Sequence, residues 1–176
     1  YYQDDPCECF KIKGGNTLNP AETVLNMKMH KAISVIQFKL EGQLLIRRKE
    51  FHMADRALLD DINYEEGTIR LYGKEYNLLD HVFPTVDPEN PYELSKEEEE
   101  VMERLVSAFA NCEKLQRHMQ LLLKKGSLYK VYNNNLLYHG CVPLNEDGSF
   151  KEVEVYGRTY KGRELYDVLE AYVRKA

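Results

Sequence analysis

The sequence predicts an α+β fold. Helical periodicity dominates as far as Gly126, extended segments divided by Asn and Gly turns follow it, and one more apolar helical stripe comes last. Residues 1–18 carry Pro6, Gly14 and Gly15 with little periodicity, which reads as a loop or fraying tail. Asn19-Pro20-Ala21-Glu22 then has the makings of a helix start: Asn19 caps, Pro20 suits the first helical position, and Glu22 reaches back. Val24, Leu25, Met29, Ile33, Ile36, Leu40 and Leu44 follow at helical spacing and predict a long amphipathic helix to about Arg48, weakened near its end by Gly42.

A second helix is expected over 54–62, and a small hairpin from Thr68–Leu71 to Tyr76–Leu79. Pro84, Pro88 and Pro91 make 84–94 an extended connection. Ser95-Lys96-Glu97-Glu98 is a second capping box. The helix it opens has the stripe Val101, Leu105, Phe109, Cys112, Leu115, Met119 and Leu122, and it ends near Lys125 before Gly126. Beyond it, Ser127–Tyr132 and Leu136–His139 flank Asn133-Asn134-Asn135, residues that tolerate left-handed dihedrals. Asn145-Glu146-Asp147-Gly148 predicts a turn, and Val153–Tyr156 with Thr159–Tyr160 predicts a hairpin. A helix follows with Leu165, Val168, Leu169, Tyr172 and Val173 on one face. The resulting division is a loop or tail over 1–18, a helix-rich region over 19–126, and a strand/helix segment over 127–176.

The composition, 43% hydrophobic and 30% charged, is that of a globular domain. A net charge of -5 argues against a nucleic-acid binder, which needs clustered excess Lys and Arg. No apolar run reaches the ~18 residues of a membrane span. Cys7, Cys9, Cys112 and Cys141 form no zinc motif, and Cys112 falls in an apolar stripe, so a reducing cytoplasm is the simplest reading. The chain opens on Tyr1-Tyr2 without a methionine and ends without a helix-stop signal, which suggests a piece of a longer protein.

Standard catalytic motifs are absent: there is no P-loop, no Rossmann glycine fingerprint, no Gly-x-Ser-x-Gly elbow and no His-Glu-x-x-His. Glu97–Glu100 reads as a solvated helix start favoured by the helix dipole. Arg47-Arg48-Lys49 offers guanidinium forks for a phosphate, but a helix C-terminus favours cations without any ligand. Arg117 and His118 lie beside Lys114 on a polar helix face, where solvation and substrate binding explain them equally well. His139 ends an apolar strand and precedes Gly140, a pattern that suits a metal ligand, although taken alone it more often marks a buried, hydrogen-bonded histidine.

Several longer stretches resemble a known family. His30-Lys31-Ala32-Ile33-Ser34-Val35-Ile36-Gln37-Phe38-Lys39-Leu40-Glu41 with Ile46-Arg47-Arg48 is similar to class III fructose-1,6-bisphosphatases. So are Thr85-Val86-Asp87-Pro88-Glu89, Glu113-Lys114-Leu115-Gln116-Arg117-His118-Met119, and Leu136–Gly140 with Val142-Pro143. These enzymes are a bacterial branch of the calcineurin-like metallophosphoesterases. The resemblance implies hydrolysis of fructose 1,6-bisphosphate in gluconeogenesis, typically with manganese. Of the superfamily's metal-binding blocks only the strand-end His-Gly pair matches, as His139-Gly140, and Gly15-Asn16-Thr17 is not the Gly-Asn-His block.

The resemblance therefore implies an internal segment of a metallophosphoesterase sandwich with a helical insertion. It makes His139 a manganese ligand, and it places Arg47, Arg48, Arg117 and His118 in matching stretches where a sugar bisphosphate could be gripped. The isolated chain is expected to be inactive. Open sheet edges, or a homo-oligomer that covers them, are also expected. The alternative is a non-catalytic regulatory or oligomerisation module.

Overall fold

A computed structural model describes residues 1–11 and 19–175. The fold is α+β, and it divides into two compact units, Tyr1–Leu105 and Val106–Ala176.

The first unit is built on helix α1 (Pro20–Arg47). The Asn19 side chain accepts from the Glu22 amide at 2.9 Å and the Glu22 carboxylate accepts from the Asn19 amide at 3.3 Å, which completes the predicted capping box. A three-stranded antiparallel sheet follows: β1 (Ile62–Asn63), β2 (Thr68–Leu71) and β3 (Lys74–Asn77), in that order. The β2–β3 turn is only Tyr72-Gly73, both at positive φ, so β3 begins two residues earlier than the sequence suggests. Met27, Val35, Ile36, Leu59, Ile69 and Tyr92 are buried. Gly42 admits the Tyr92 ring: a Cβ there would lie 2.1 Å from two ring carbons. Its role is thus close approach of helix and ring, beyond a mere weak spot in α1.

Four expectations change in this unit. The helix over 54–62 is replaced by short 3-10 turns at Ala54–Arg56 and Leu58–Asp61, leading into β1. Here Tyr92 Oη accepts from the Asp60 amide and Tyr64 Oη donates to the Leu59 carbonyl, so tertiary contacts take backbone groups that a helix would pair. Of the loop or tail expected over 1–18, residues 1–11 form an anchored loop rather than a fraying tail, since Asp5 and Cys7 are buried and Glu8–Phe10 forms a 3-10 turn. Gly14, Gly15 and the Gly15-Asn16-Thr17 triplet lie outside the described residues. The α1 face that packs is Met27, Lys31, Val35, Lys39 and Gly42, whereas Leu25, Met29, Ile33 and Leu44 of the apolar stripe are exposed. Finally, Glu97–Glu100 is not uniformly solvated, because Glu98 is buried.

Helix α2 (Lys96–Ala110) opens on the Ser95/Glu98 capping box, with Ser95 N donating to Glu98 Oε2 and Glu98 N to Ser95 Oγ. The single long helix expected to Lys125 is broken after Ala110 and resumes as α3 (Glu113–Lys125). Asn111 Nδ2 donates to both Ser107 O and Ser107 Oγ beside its own amide's bond to Ser107 O, and the Gln116 side chain reaches back to the Phe109 and Ala110 carbonyls that end the helix. Cys112, in extended conformation as the N-cap of α3, is exposed and does not pack in a stripe.

The second unit also holds two separate antiparallel hairpins, β4 (Tyr129–Tyr132) with β5 (Asn135–Tyr138), and β6 (Val153–Val155) with β7 (Arg158–Tyr160), followed by α4 (Gly162–Val173). The β4–β5 turn is Asn133-Asn134 at φ 47° and 60°, the left-handed pair that asparagine tolerates best after glycine. The β6–β7 turn is Tyr156-Gly157, one residue earlier than predicted. Among the described residues of this unit Leu165 is the buried large hydrophobic one, while Val131, Leu136, Leu137 and Tyr138 are exposed.

Candidate functional site

The β4–β5 hairpin carries His139. Its register pairs Tyr129 with Tyr138 and Val131 with Leu136. His139 follows the last paired residue, and its amide donates to the Leu128 carbonyl at 3.4 Å, so the backbone is held one step past the strand. Gly140 then turns the chain at φ 84°, with nothing within 4 Å of where a Cβ would sit. Helix α4 steadies this corner through Tyr166, which the sequence reading missed. The Tyr166 ring packs edge-on against Tyr129 and Tyr138, with centroids 5.9 and 6.5 Å away, and its hydroxyl donates to the Cys141 carbonyl at 3.1 Å. Its only signal in the sequence was its place beside Leu165 on the α4 stripe.

The His139 side chain is exposed in this chain. It stands one residue past the paired strand, where the chain turns at Gly140. Among the described residues no three His, Cys, Asp or Glu side chains converge as a metal group. A manganese centre involving His139 would therefore draw its other ligands from residues beyond this set.

Arg47 and Arg48 end α1 in the first unit. Arg47 Nε donates to the Gln43 carbonyl at 3.2 Å. The Arg48 guanidinium lies 5.5 Å from the Phe51 ring centroid and 3.4 Å from Glu50 Oε1. Arg117 and His118 are on α3 in the second unit, and Arg117 lines a shallow hollow of about 350 Å³ with Asn111, Glu113, Gln116 and Gln120. A larger hollow of about 570 Å³ in the first unit is lined by Asp60, Asp61, Glu65, Glu75 and Arg70. With four carboxylates against one guanidinium it disfavours a phosphate.

Buried charges are concentrated in the first unit. Lys31 Nζ bonds Asp5 Oδ2 at 2.5 Å and Asp80 Oδ1 at 2.6 Å, and the Lys31 and Asp5 side chains are each 2% exposed. Burial opposes the charge on each, but their mutual hydrogen bond and Coulomb attraction prevail. The Lys31 pKa is raised and the Asp5 pKa is lowered. Lys39 is fully buried and bonds Glu98 Oε2 at 2.8 Å and the Thr85 carbonyl at 2.5 Å. Among the described residues, Asp80 Oδ2 and Glu98 Oε1 have no hydrogen-bond partner. These groups join residues 1–11, α1, the 80–92 connection and α2 into one frame. The sequence signal was the four-residue spacing Met27-Lys31-Val35-Lys39, masked by the apolar stripe beside it.

With this geometry in view, sequence comparison assigns the class. The family model for Firmicute fructose-1,6-bisphosphatase matches residues 1–176, and the chain belongs to that family. Among curated relatives, a class 3 fructose-1,6-bisphosphatase of Listeria innocua serovar 6a is 53% identical over 181 residues, covering 99% of this chain and 28% of the relative. That of Listeria monocytogenes serovar 1/2a is 52% identical, covering 99% of this chain and 27% of the relative. That of Clostridium botulinum (strain Okra / Type B1) is 54% identical, covering all of this chain and 26% of the relative. The chain thus spans little more than a quarter of the length of these relatives. No solved structure matches it. No helix among the described residues is long and apolar enough to cross a membrane.

Proposed function

We propose that this chain is an internal segment of a cytoplasmic, manganese-dependent fructose-1,6-bisphosphatase, to which it contributes a strand-end metal ligand, His139. The observation that carries this reading is the family match along the whole chain, combined with coverage of about 27% of the relatives. In the intact enzyme the substrate is fructose 1,6-bisphosphate, and bound manganese would supply charge neutralisation at the phosphoryl group and an activated water at neutral pH.

This chain's own part is positional. The Asn133-Asn134 turn sets the β4–β5 register, the register puts His139 just past the strand end, and Tyr166 pins the following carbonyl. Gly140, at φ 84°, turns the chain directly after His139. Arg47, Arg48, Arg117 and His118 remain candidates for gripping the sugar phosphates, because guanidinium and imidazolium match phosphate oxygens and these side chains are exposed.

A site with one of its ligands does not turn over. The purified 176-residue chain, assayed for phosphate release from fructose 1,6-bisphosphate with manganese, is expected to match the protein-free control. Manganese-dependent turnover by this chain would overturn the reading. A second role, in oligomerisation, is favoured by one feature of the first unit, the exposed apolar stripe of α1.

A further inference from the structure

The β4–β5 ladder ends on a half-made rung. Tyr129 pairs with Tyr138, so the next rung out sets Leu128 opposite His139. The bond from the His139 amide to the Leu128 carbonyl marks this rung as the kind whose two residues exchange both backbone bonds. Only one of the two is made, at 3.4 Å, and the Leu128 amide donates instead to Glu170 Oε2 of α4 at 3.2 Å. A carboxylate of α4 thus stands in for the His139 carbonyl, and strand pairing stops at the residue that carries the imidazole.

Glu170 is itself held from several sides. Its Oε2 also accepts from Ser127 Oγ at 2.6 Å, and its Oε1 accepts from Arg174 Nε at 3.0 Å and Nη2 at 2.7 Å. These are charge-assisted bonds, and the side chain that makes them is half-buried. The Arg174 guanidinium goes on to the Gly126 carbonyl at 2.7 Å and to the Leu123 carbonyl, at the end of α3 where helical carbonyls lack partners. Tyr166 lies four residues before Glu170 on the same helix. Between them they hold the chain on both sides of His139, at Leu128 opposite it and at Cys141 two residues after it.

We propose that Glu170, oriented by Arg174, is a positioning residue for His139, fixing the point at which the strand gives way to the turn at Gly140. The inference rests on the reading of His139 as a metal ligand and adds to it the side chains that set the ligand's place.

The test uses the full-length enzyme. Glu170→Ala should raise the manganese concentration that half-fills the site about tenfold by equilibrium dialysis, the lower end of what outer partners of metal ligands contribute. Saturating manganese should restore most of kcat. Hydrogen exchange at the Leu128 and His139 amides should speed up in the manganese-free protein, which reads the clamp apart from the metal. Glu170→Gln keeps the side-chain volume and one acceptor, so it should fall between wild type and Glu170→Ala and serves if the alanine variant does not fold. Lys161→Met removes the 3.0 Å ion pair to Glu152 at the start of the same helix and should move neither readout. An equal loss in this control would mark general destabilisation and overturn the positioning role. Unchanged manganese affinity in Glu170→Ala, with the loss present in His139→Ala, would overturn the positioning role while the ligand stands. Unchanged affinity in both would overturn the ligand reading and the positioning role with it.

Discussion

Replacing Lys31 by Met tests whether the buried charge frame holds the first unit together. Lys31 is the single cation between two carboxylates, Asp5 at 2.5 Å and Asp80 at 2.6 Å. Methionine fills a similar volume, so packing is largely kept and the change isolates the charge. Asp5 keeps its bond from the Cys7 amide at 2.8 Å, while Asp80 keeps only a 3.3 Å bond from the Val82 amide. Removing one partner from a buried pair costs about 3–5 kcal/mol, because the remaining charge is left desolvated. With a urea slope near 1.5 kcal/mol/M, the midpoint of the unit should fall by about 2–3 M.

Two further measurements make the explanation specific. The triple variant Lys31→Met, Asp5→Asn, Asp80→Asn should recover most of the loss, since it leaves no buried charge unpaired. The pH response should also change sign. In the native protein the Asp5 pKa is depressed. Its contribution is therefore present above the unfolded carboxyl pKa and lost as pH falls through the folded one. In Lys31→Met, desolvation without a cation raises that pKa, so acidification should favour the folded form. Urea titrations followed by far-ultraviolet circular dichroism at pH 7 and pH 5 measure both effects. A midpoint shift below about 0.5 M, with the pH slope unchanged, would refute the reasoning.

The same geometry sets two other outcomes. Gly42→Ala should destabilise the first unit by about 1–3 kcal/mol in the same titration despite alanine's better helix propensity, because its Cβ would lie 2.1 Å from the Tyr92 ring. In the second unit, hydrogen bonds from Ser127, then from Arg174 and the Leu128 amide, lower the Glu170 pKa from 4.5 to about 2. Stability from this group is present above pH 4.5 and should be lost progressively as pH falls from there toward 2. Glu170→Gln should remove about 1 kcal/mol at pH 7, with a difference that shrinks in acid, as read by thermal melts across that range.

Much of the fold was legible because its signals are local. Asn19, Pro20 and Glu22 announce the start of α1, Ser95 and Glu98 announce α2, and Asn133-Asn134 and Tyr-Gly pairs announce the hairpins. Failures came where distant groups decide. The 54–61 segment gives up a helix because Tyr92 and Tyr64 claim its backbone, and the long helix breaks where Asn111 turns back on Ser107. Periodicity identified α1 but not its packed face, because the lysines at 31 and 39 are buried by carboxylates far away in sequence. The strand-end position of His139 was readable from a β-run, a histidine and a glycine. Tyr166, which holds the corner, was not, since nothing in an α4 stripe says which residue will reach the Cys141 carbonyl.

The central claim is that His139 is one ligand of a metal centre completed by other parts of the enzyme. It is tested most directly by replacing His139 with Ala in the full-length protein and measuring bound manganese and phosphate release together. Bound manganese should fall and turnover should drop about 100-fold or more, while circular dichroism stays unchanged. Unaltered manganese content and unaltered turnover would contradict the account.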